Sequence, residues 1–289
     1  MNKEFEFLNI INKIIPDGFV GDDCAILKDY NLAISQDSLI EDVHFSRFFM
    51  TVKEIAKKAL LVNISDILAS GATPKYFSVA LSGVSDENSI KEFYMGLNEV
   101  AKKFNIKLIG GDLTKSEKIT ISITVLGDTK NRNISSRKNA RKNYIVACMG
   151  EFGTSAKGLE DLKNGFVENE FIEIHKAPKL YPNISNKIAL EAEKPYAMMD
   201  SSDGLFDCLY QIAQKSNVRI DVDYSKIPKK TDNSDFVLYG GEDYSLVICM
   251  DKNDFEKFPE LVQIGVVSDG ESVFIDGRKV QYKGFCHFD

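Results

Sequence analysis

Short apolar runs alternate along this chain with longer segments in which apolar residues recur at helical spacing. Runs such as YFSVAL, YIVACMG and SVFIDG have the length of buried strands. Residues 52–71 and 204–215 instead place apolar residues every three or four positions, and Gly71 and Pro74 supply a helix stop after the first of them. Strands that alternate with helices are typical of mixed architectures. The sequence therefore predicts an α/β (α+β) fold.

A polar, basic segment divides the predicted strands and helices into an N-terminal and a C-terminal group. Residues 130–143 read KNRNISSRKNARKN and contain almost no apolar side chain, which indicates an exposed loop or a domain connector. The full length of 289 residues exceeds that of a typical single domain. We therefore predict an N-terminal domain over residues 1–137, with a mixed sheet and helices, and a C-terminal α/β domain over residues 138–289.

Composition excludes several classes of protein. The net charge of −7, from 36 basic and 43 acidic residues, argues against a general nucleic-acid binder. The apolar runs are too short to span a bilayer, and the N-terminus lacks a signal-peptide core. Five scattered cysteines without a C-x-x-C pair indicate reduced thiols. We expect a soluble cytoplasmic protein with neither a membrane nor a nucleic acid as partner.

Acidic residues recur beside glycines or at the ends of predicted strands. They occur in GDDCAIL, SQDSLIEDVHF, SDILASGA, IGGDLT, MDSSDGL and GGEDYSL. Each alone is ordinary turn or capping chemistry. However, Asp66 lies among Ile64, Ile67 and Leu68, and a lone buried carboxylate is costly. Carboxylates brought together repel one another unless cations are present, and Mg²⁺ prefers oxygen ligands. Together with glycines that admit phosphates, these residues indicate a nucleotide site with several metal ions.

The stretch AMMDSSDGLFDCL, residues 197–209, illustrates both interpretations. A buried strand ends at Asp200, and a helix is predicted from Gly204. A Ser or Asp at this junction can cap the helix while Asp200 and Asp203 face cations.

Other catalytic motifs are absent from the sequence. It contains no P-loop, no G-x-G-x-x-G and no G-x-S-x-G, and its three histidines lack the paired spacing of a zinc site. His44 follows Glu41 and Asp42 and is either a loop histidine or a substrate contact. The basic run at 132–142 is by default solvated, although one of its arginines could reach a nucleotide phosphate.

Taken in order, the six acidic motifs resemble those of the thiamine-monophosphate kinases, within the ATP-binding superfamily that includes aminoimidazole ribonucleotide synthetase. The match runs from about residue 20 to the terminal YKGFCHFD. The resemblance implies that the γ-phosphoryl group of ATP is transferred directly, in line, to thiamine monophosphate, with several Mg²⁺ ions and without an acid/base residue. It also implies a homodimer whose N-terminal sheets pack together, with the nucleotide near the subunit boundary.

The same resemblance assigns roles to individual positions. The implied Mg²⁺ ligands are Asp23, Ser35, Asp37, Asp66, Asp112, Asp200 and Asp203. The implied ATP contacts are Gly111, Asp112, Arg137 and Ser202, and the implied thiamine phosphate contacts are His44, Glu242 and Phe285. The chain departs from the family pattern at Gln36, where Thr is usual, at Ser201, where an aliphatic residue is usual, and at Phe285, which lacks the hydroxyl of Tyr.

Two alternatives stay open at this point. The first is another Mg-ATP enzyme of the superfamily, a phosphate-activating ligase or synthetase. The second is a non-catalytic Mg-nucleotide or Ca²⁺-binding protein, although no EF-hand loop is present.

Overall fold

The computed structural model describes residues 3–16, 18 and 21–282. The described chain contains two β-sheets, one formed by each half of the sequence. The strands are β1 (Ala25–Leu27), β2 (Leu32–Ile40), β3 (Thr73–Ser82), β4 (Lys107–Thr114), β5 (Thr120–Asp128), β6 (Ile145–Met149), β7 (Ala197–Asp200), β8 (Arg219–Val222), β9 (Leu246–Met250), β10 (Val262–Ser268), β11 (Ser272–Ile275) and β12 (Arg278–Lys279). The α-helices are α1 (Lys3–Ile14), α2 (Val52–Ala69), α3 (Glu87–Phe104), α4 (Thr154–Lys163), α5 (Glu170–Lys176), α6 (Pro182–Glu191), α7 (Leu205–Ser216), α8 (Ser234–Tyr239) and α9 (Lys252–Phe255).

The N-terminal sheet has the strand order β1-β2-β5-β3-β4. Its neighbours are antiparallel except β3 and β4, which are parallel and joined through α3. Alternate residues of β5, such as Ile121, Ile123 and Val125, are buried in the same core as α2 and α3, as the period of a strand requires. All eight residues of the edge strand β4 are exposed. One face of this sheet is therefore covered by helices, and one edge is open.

Helix α2 lies between the two halves of the molecule. It begins with a capping box, in which the Glu54 N–H donates to Thr51 Oγ1 over 3.2 Å and the Thr51 N–H donates back to Glu54 Oε2 over 2.7 Å. Most of its residues are buried, and it packs on β2 and β5. At its C-terminal end, Ser185 Oγ of α6 donates to the Leu68 carbonyl over 2.6 Å, and Ala69 joins a core with residues of the second sheet. The helix therefore carries side chains into the region where the halves meet.

The C-terminal sheet has the order β12-β11-β8-β10-β6-β9-β7. Among its described strands, β8 and β11 are parallel to each other and the other neighbouring pairs are antiparallel. Val146 and Cys148 of β6 face a core shared with α7, whereas Ala147 between them faces a core shared with α6. The central strands are buried on both faces, which explains why they read as continuous apolar runs.

The mixed α/β architecture predicted from the sequence is confirmed, and most predicted elements form within a few residues of their expected bounds. The pattern missed the helices α1, α5, α8 and α9 and the two-residue strand β12. The exposed-loop interpretation of residues 130–143 is wrong, because Ser135 and Ala140 are buried. The Ser135 N–H donates to the Ser70 carbonyl over 3.0 Å, and its hydroxyl donates to the Met198 carbonyl over 2.9 Å. Polar residues are tolerated there because both halves satisfy their hydrogen bonds. The domain boundary at residues 137 and 138 stays a prediction.

Across the described ranges, the helices are all too short or too polar to cross a bilayer.

Candidate active site

Three acidic residues from separate elements converge between the two halves. Asp23 lies two residues before the start of β1, Asp66 lies on α2, and Asp200 is the last residue of β7. One carboxylate oxygen from each lies within 4.8 Å of the other two. A fourth carboxylate, that of Asp37, lies beside Asp66, and each of these two groups affects the pKa of the other. We call these four residues the acidic cluster.

The prediction that the acidic residues lie at the ends of strands is correct for some of them and wrong for others. Asp200 does end its strand, but Asp37 and Asp112 lie inside β2 and β4, which continue for three and two further residues, to Ile40 and Thr114. Asp37 reaches the cluster because it alternates onto the helix-covered face of the sheet, opposite Ile123 of β5.

The cluster is strongly perturbed in its protonation. Burial raises the pKa of all four carboxyl groups. For Asp66, burial followed by repulsion from Asp37, Asp200 and Asp23 raises the pKa well above its usual value. Burial, followed by the charge of Asp23, raises the pKa of Asp200 to about 8. Asp200 Oδ2 is also buried without a hydrogen-bond partner in the part of the chain described. A set of oxygen donors with one orphaned carboxylate oxygen and unfavourable charge repulsion fits a hard divalent cation such as Mg²⁺.

Arg137 compensates part of this negative charge. Its Nη2 lies 2.8 Å from Asp23 Oδ1, and its Nη1 donates to Gln211 Oε1. Its backbone N–H donates to Asp22 Oδ1 over 2.8 Å. Burial opposes the charge of the guanidinium, but Asp23 outweighs it and raises the pKa of Arg137. The arginine stays charged, and it holds Asp23 in the cluster.

A cleft of about 560 Å³ opens onto the cluster. Its lining includes eight of the residues singled out from the sequence, namely Asp23, Asp37, His44, Asp66, Arg137, Ser202, Asp203 and Glu242. Asp200 lies in the cluster behind this lining. Ser35 is buried on β2, where its hydroxyl donates to the Asn63 carbonyl over 3.1 Å. Side chains predicted for metal, ATP and substrate thus line or adjoin one cavity.

Two predicted residues lie away from this cleft, on the edge of the N-terminal sheet. Gly111 and Asp112 lie on the exposed edge strand β4, where Asp112 pairs with Ala80 of β3. Phe285 lies outside the described residues. A single chain therefore does not bring Gly111 and Asp112 to the acidic cluster.

The predicted helix cap at the start of α7 is wrong. Gly204 occupies the N-cap position with φ of 100°, and no side chain caps the helix there. A glycine is favoured at this backbone conformation. Ser202 and Asp203 line the cleft instead.

His44 has one ring nitrogen committed to the backbone. The Ile40 N–H donates to His44 Nδ1 over 3.1 Å. Because Nδ1 is an acceptor, the neutral ring carries its proton on Nε2.

The sequence reasoning missed Lys58 and His175. Lys58 on α2 has a fully buried side chain, and its Nζ lies 2.9 Å from Glu242 Oε1. His175 on α5 lines the cleft, with Nδ1 2.9 Å from Ser155 Oγ. One signal for Lys58 was present in the sequence, because it falls three residues after Ile55 and four before Val62, on the apolar stripe of the helix.

A family model described as "AIR synthase related protein, N-terminal domain" matches residues 21–129. Residues 21–129, which include the five strands of the first sheet, therefore form an AIR synthase-related N-terminal domain. The chain is 32% identical to the thiamine-monophosphate kinase of Aquifex aeolicus (strain VF5), covering 99% of this chain and 98% of that protein. It is 35% identical to the thiamine-monophosphate kinase of Bacillus subtilis (strain 168), covering 82% and 78%. The chain belongs to the thiamine-monophosphate kinase family.

The structural comparison agrees with the sequence comparison. The solved structure of AaThiL complexed with AMPPCP and TMP superposes with a TM-score of 0.90 at 32% identity. The superposition covers 99% of this chain and 97% of that chain.

Proposed function

We propose that this protein transfers the γ-phosphoryl group of ATP to the phosphate of thiamine monophosphate, giving thiamine diphosphate and ADP. The observation that carries the proposal is the single cleft, in which the acidic cluster and Arg137 lie together with His44 and Glu242. The family membership and the similarity to a structure complexed with AMPPCP and TMP support the same substrates.

The proposed site residues divide this work between the metal ions, the nucleotide and the acceptor. We assign the Mg²⁺ ions to Asp23, Ser35, Asp37, Asp66, Asp112, Asp200 and Asp203, and the ATP contacts to Gly111, Asp112, Arg137 and Ser202. When bound, the ions neutralise the carboxylates and the phosphates, which otherwise repel one another. His44, Glu242 and Phe285 are assigned to thiamine phosphate. Arg137 keeps its charge at the cluster and therefore also attracts the nucleotide phosphates.

The proposed reaction is a direct in-line transfer. An oxygen of the acceptor phosphate forms the new P–O bond while the bond from the γ-phosphorus to the bridging oxygen of ADP breaks. The acceptor oxygen is already anionic, so no general base is needed to generate the nucleophile. The demand on the protein is to hold two anionic groups in line and to exclude water.

A homodimer is part of the proposal. The edge strand β4 exposes the apolar side chains of Leu108, Ile109 and Leu113, and an open apolar edge favours association with another chain. Gly111 and Asp112 lie on the same strand, so a dimer formed here would supply them to a site at the subunit boundary. We also propose a cytoplasmic location, which is supported by the four buried free thiols of Cys24, Cys148, Cys208 and Cys249.

An acceptor screen tests the reaction. Purified protein with Mg²⁺ and ATP is offered thiamine monophosphate, free thiamine or no acceptor, and ADP and thiamine diphosphate are quantified by chromatography. We expect ADP and thiamine diphosphate to form in equal amounts when thiamine monophosphate is the acceptor, and not under the other two conditions. ADP formation that does not depend on this acceptor would instead favour another ATP-using enzyme of the superfamily.

Subunit complementation tests the role of Asp112. Asp66→Asn and Asp112→Asn are each expected to be inactive as pure dimers. When the two are unfolded together and refolded in equal amounts, half of the dimers are mixed. If Asp112 serves the partner's site, each mixed dimer has one intact site, and about one quarter of wild-type activity returns. If Asp112 serves its own site, no activity returns.

A further inference from the structure

Lys58 is a fully buried cation whose position neither the metal nor the nucleotide site explains. Its side chain is 0% exposed. Its Nζ lies 2.9 Å from Glu242 Oε1 and 3.5 Å from the His44 carbonyl oxygen. Glu242 lies between α8 and β9 in the C-terminal half, whereas Lys58 and His44 belong to the N-terminal half. A single ammonium group thus links the two residues assigned to thiamine phosphate across the two halves.

A buried ammonium group requires partners, because desolvation of the charge is costly. Lys58 satisfies this requirement with the Glu242 carboxylate and the His44 carbonyl. Replacement of a buried ion pair by apolar residues of similar volume is often neutral or stabilising. The stability of the fold therefore does not require a lysine at this position. A lysine does, however, hold Glu242 and His44 in a fixed geometry.

Glu242 is restrained from more than one direction. Its backbone adopts a left-handed conformation with φ of 66°, and its N–H donates to the Ser202 carbonyl over 2.7 Å. His175 Nδ1 lies 3.5 Å from Glu242 Oε2, on the oxygen that Lys58 does not contact. Burial, followed by the charge of Lys58, lowers the pKa of His175 to about 4, so this histidine is neutral at neutral pH. Lys58 is therefore the charged partner of Glu242.

The Glu242 side chain nevertheless remains 27% exposed, and it lines the cleft. A carboxylate with one oxygen bound to a buried lysine and a free surface toward the cavity is preorganised to accept a hydrogen bond from a ligand. Its charge is balanced by Lys58, so the pair recognises donor groups of the heterocycle without adding net negative charge beside the substrate phosphate.

We propose that Lys58 is a positioning residue for thiamine monophosphate, which holds the Glu242 carboxylate and the His44 backbone in the binding geometry before substrate arrives. The proposal rests on the proposed function, because it takes the phosphorylated thiamine as the ligand that Glu242 and His44 contact. Lys58 acts through these residues and does not touch the reacting phosphates.

The test is a double-mutant cycle of Lys58→Met and Glu242→Gln, read by calorimetric binding of thiamine monophosphate and by steady-state kinetics. Loss of a buried, hydrogen-bonded charge partner is expected to weaken binding and to raise the KM for thiamine monophosphate at least about tenfold. The KM for ATP should change less than about twofold, since Lys58 has no contact with Arg137 or the acidic cluster. The effect of the double variant should be clearly smaller than the sum of the two single effects, because both changes remove the Lys58–Glu242 interaction, and any loss beyond that of Glu242→Gln alone reports the contact of Lys58 with the His44 carbonyl.

Lys57 provides a matched control. It is the adjacent lysine on α2, it is 31% exposed, and it pairs with Glu99 on α3 rather than with the cleft. Lys57→Met removes the same charge and should leave both KM values at wild type. If Lys58→Met does not fold, Lys58→Gln keeps a donor while removing the charge, and the same direction of change is expected.

Two results would overturn the proposal. One is a folded Lys58→Met protein that binds thiamine monophosphate as wild type does. The other is a cycle in which the two effects are additive, which would mean that Lys58 acts independently of Glu242. A wild-type protein that binds thiamine monophosphate but does not phosphorylate it would overturn the proposed function alone, because the binding cycle still measures Lys58. Absence of binding by wild type would overturn both.

Discussion

Replacing Asp200 with Asn is expected to stabilise the metal-free protein while destroying its activity. In the folded chain, burial and then the charge of Asp23 raise the pKa of Asp200 from 3.8 to about 8. A group whose pKa is raised by folding contributes stability below its unfolded pKa, and that contribution is lost as the pH rises toward the folded pKa. The penalty therefore grows between pH about 4 and pH about 8.

The magnitude follows from the size of the shift. Neutral pH lies about three units above the ordinary pKa of an aspartate, and each unit corresponds to about 1.4 kcal/mol, so Asp200 costs up to about 4 kcal/mol at pH 7. Asp200→Asn removes this cost, and the new amide can donate to the neighbouring carboxylates of Asp23 and Asp66. We expect the variant to gain stability at neutral pH and to match wild type near pH about 4.

Urea unfolding in EDTA across this pH range measures the difference directly. With Mg²⁺ added, wild type should become the more stable of the two proteins. Wild type alone has the complete set of metal ligands, and binding of a ligand stabilises the folded state. If Asp200→Asn is equal to or less stable than wild type at neutral pH in EDTA, the carboxylates do not repel one another as the geometry requires. The reasoning would then be refuted.

Three further substitutions test local features. Burial opposes the ionisation of Asp254, but the hydrogen bond from Lys257 helps to lower its pKa below the usual value. The ionised Asp254 therefore stabilises the fold above pH about 4, and this contribution is lost as the pH falls. Asp254→Asn should lower the urea midpoint at neutral pH, whereas Asp200→Asn should raise it. Asp243 accepts three hydrogen bonds from the N-terminus of α4, so Asp243→Ala should cost about 2 kcal/mol, measured by calorimetric unfolding. A Cβ at Gly111 would lie 2.0 Å from a backbone oxygen of β3, whereas one at Gly110 would meet nothing within 4 Å; Gly111→Ala should therefore lower Tm, and Gly110→Ala should change it much less.

The sequence predicted the parts of the site that local pattern determines. The position of Asp66 among apolar residues of a helix indicated that its carboxylate is buried, and the structure places it in the cluster. Asp200 follows a short apolar run and does end a buried strand. In both cases the burial of the surrounding residues fixes where the side chain lies, and burial is visible in the spacing of apolar residues.

What the pattern could not predict depends on contacts between distant segments. The apolar stripe of α2 indicates that Lys58 is buried, but its partner Glu242 lies 184 positions away and cannot be predicted from local spacing. Residues 130–143 look exposed because their composition is polar, yet their hydrogen bonds to both halves bury Ser135. The absence of a side-chain cap on α7 follows from the backbone conformation of Gly204, which composition does not specify.

The burial of α2 between the two sheets links the folding of one half to that of the other. Leu60 and Ile64 pack in the N-terminal core, whereas Ala69 packs in a core with Ile184 and Met198 of the C-terminal half. Separation of the halves would expose part of this helix to water, so neither half retains its full apolar burial alone. The chain should accordingly unfold in a single cooperative transition, with calorimetric and van't Hoff enthalpies in agreement, even though it contains two sheets.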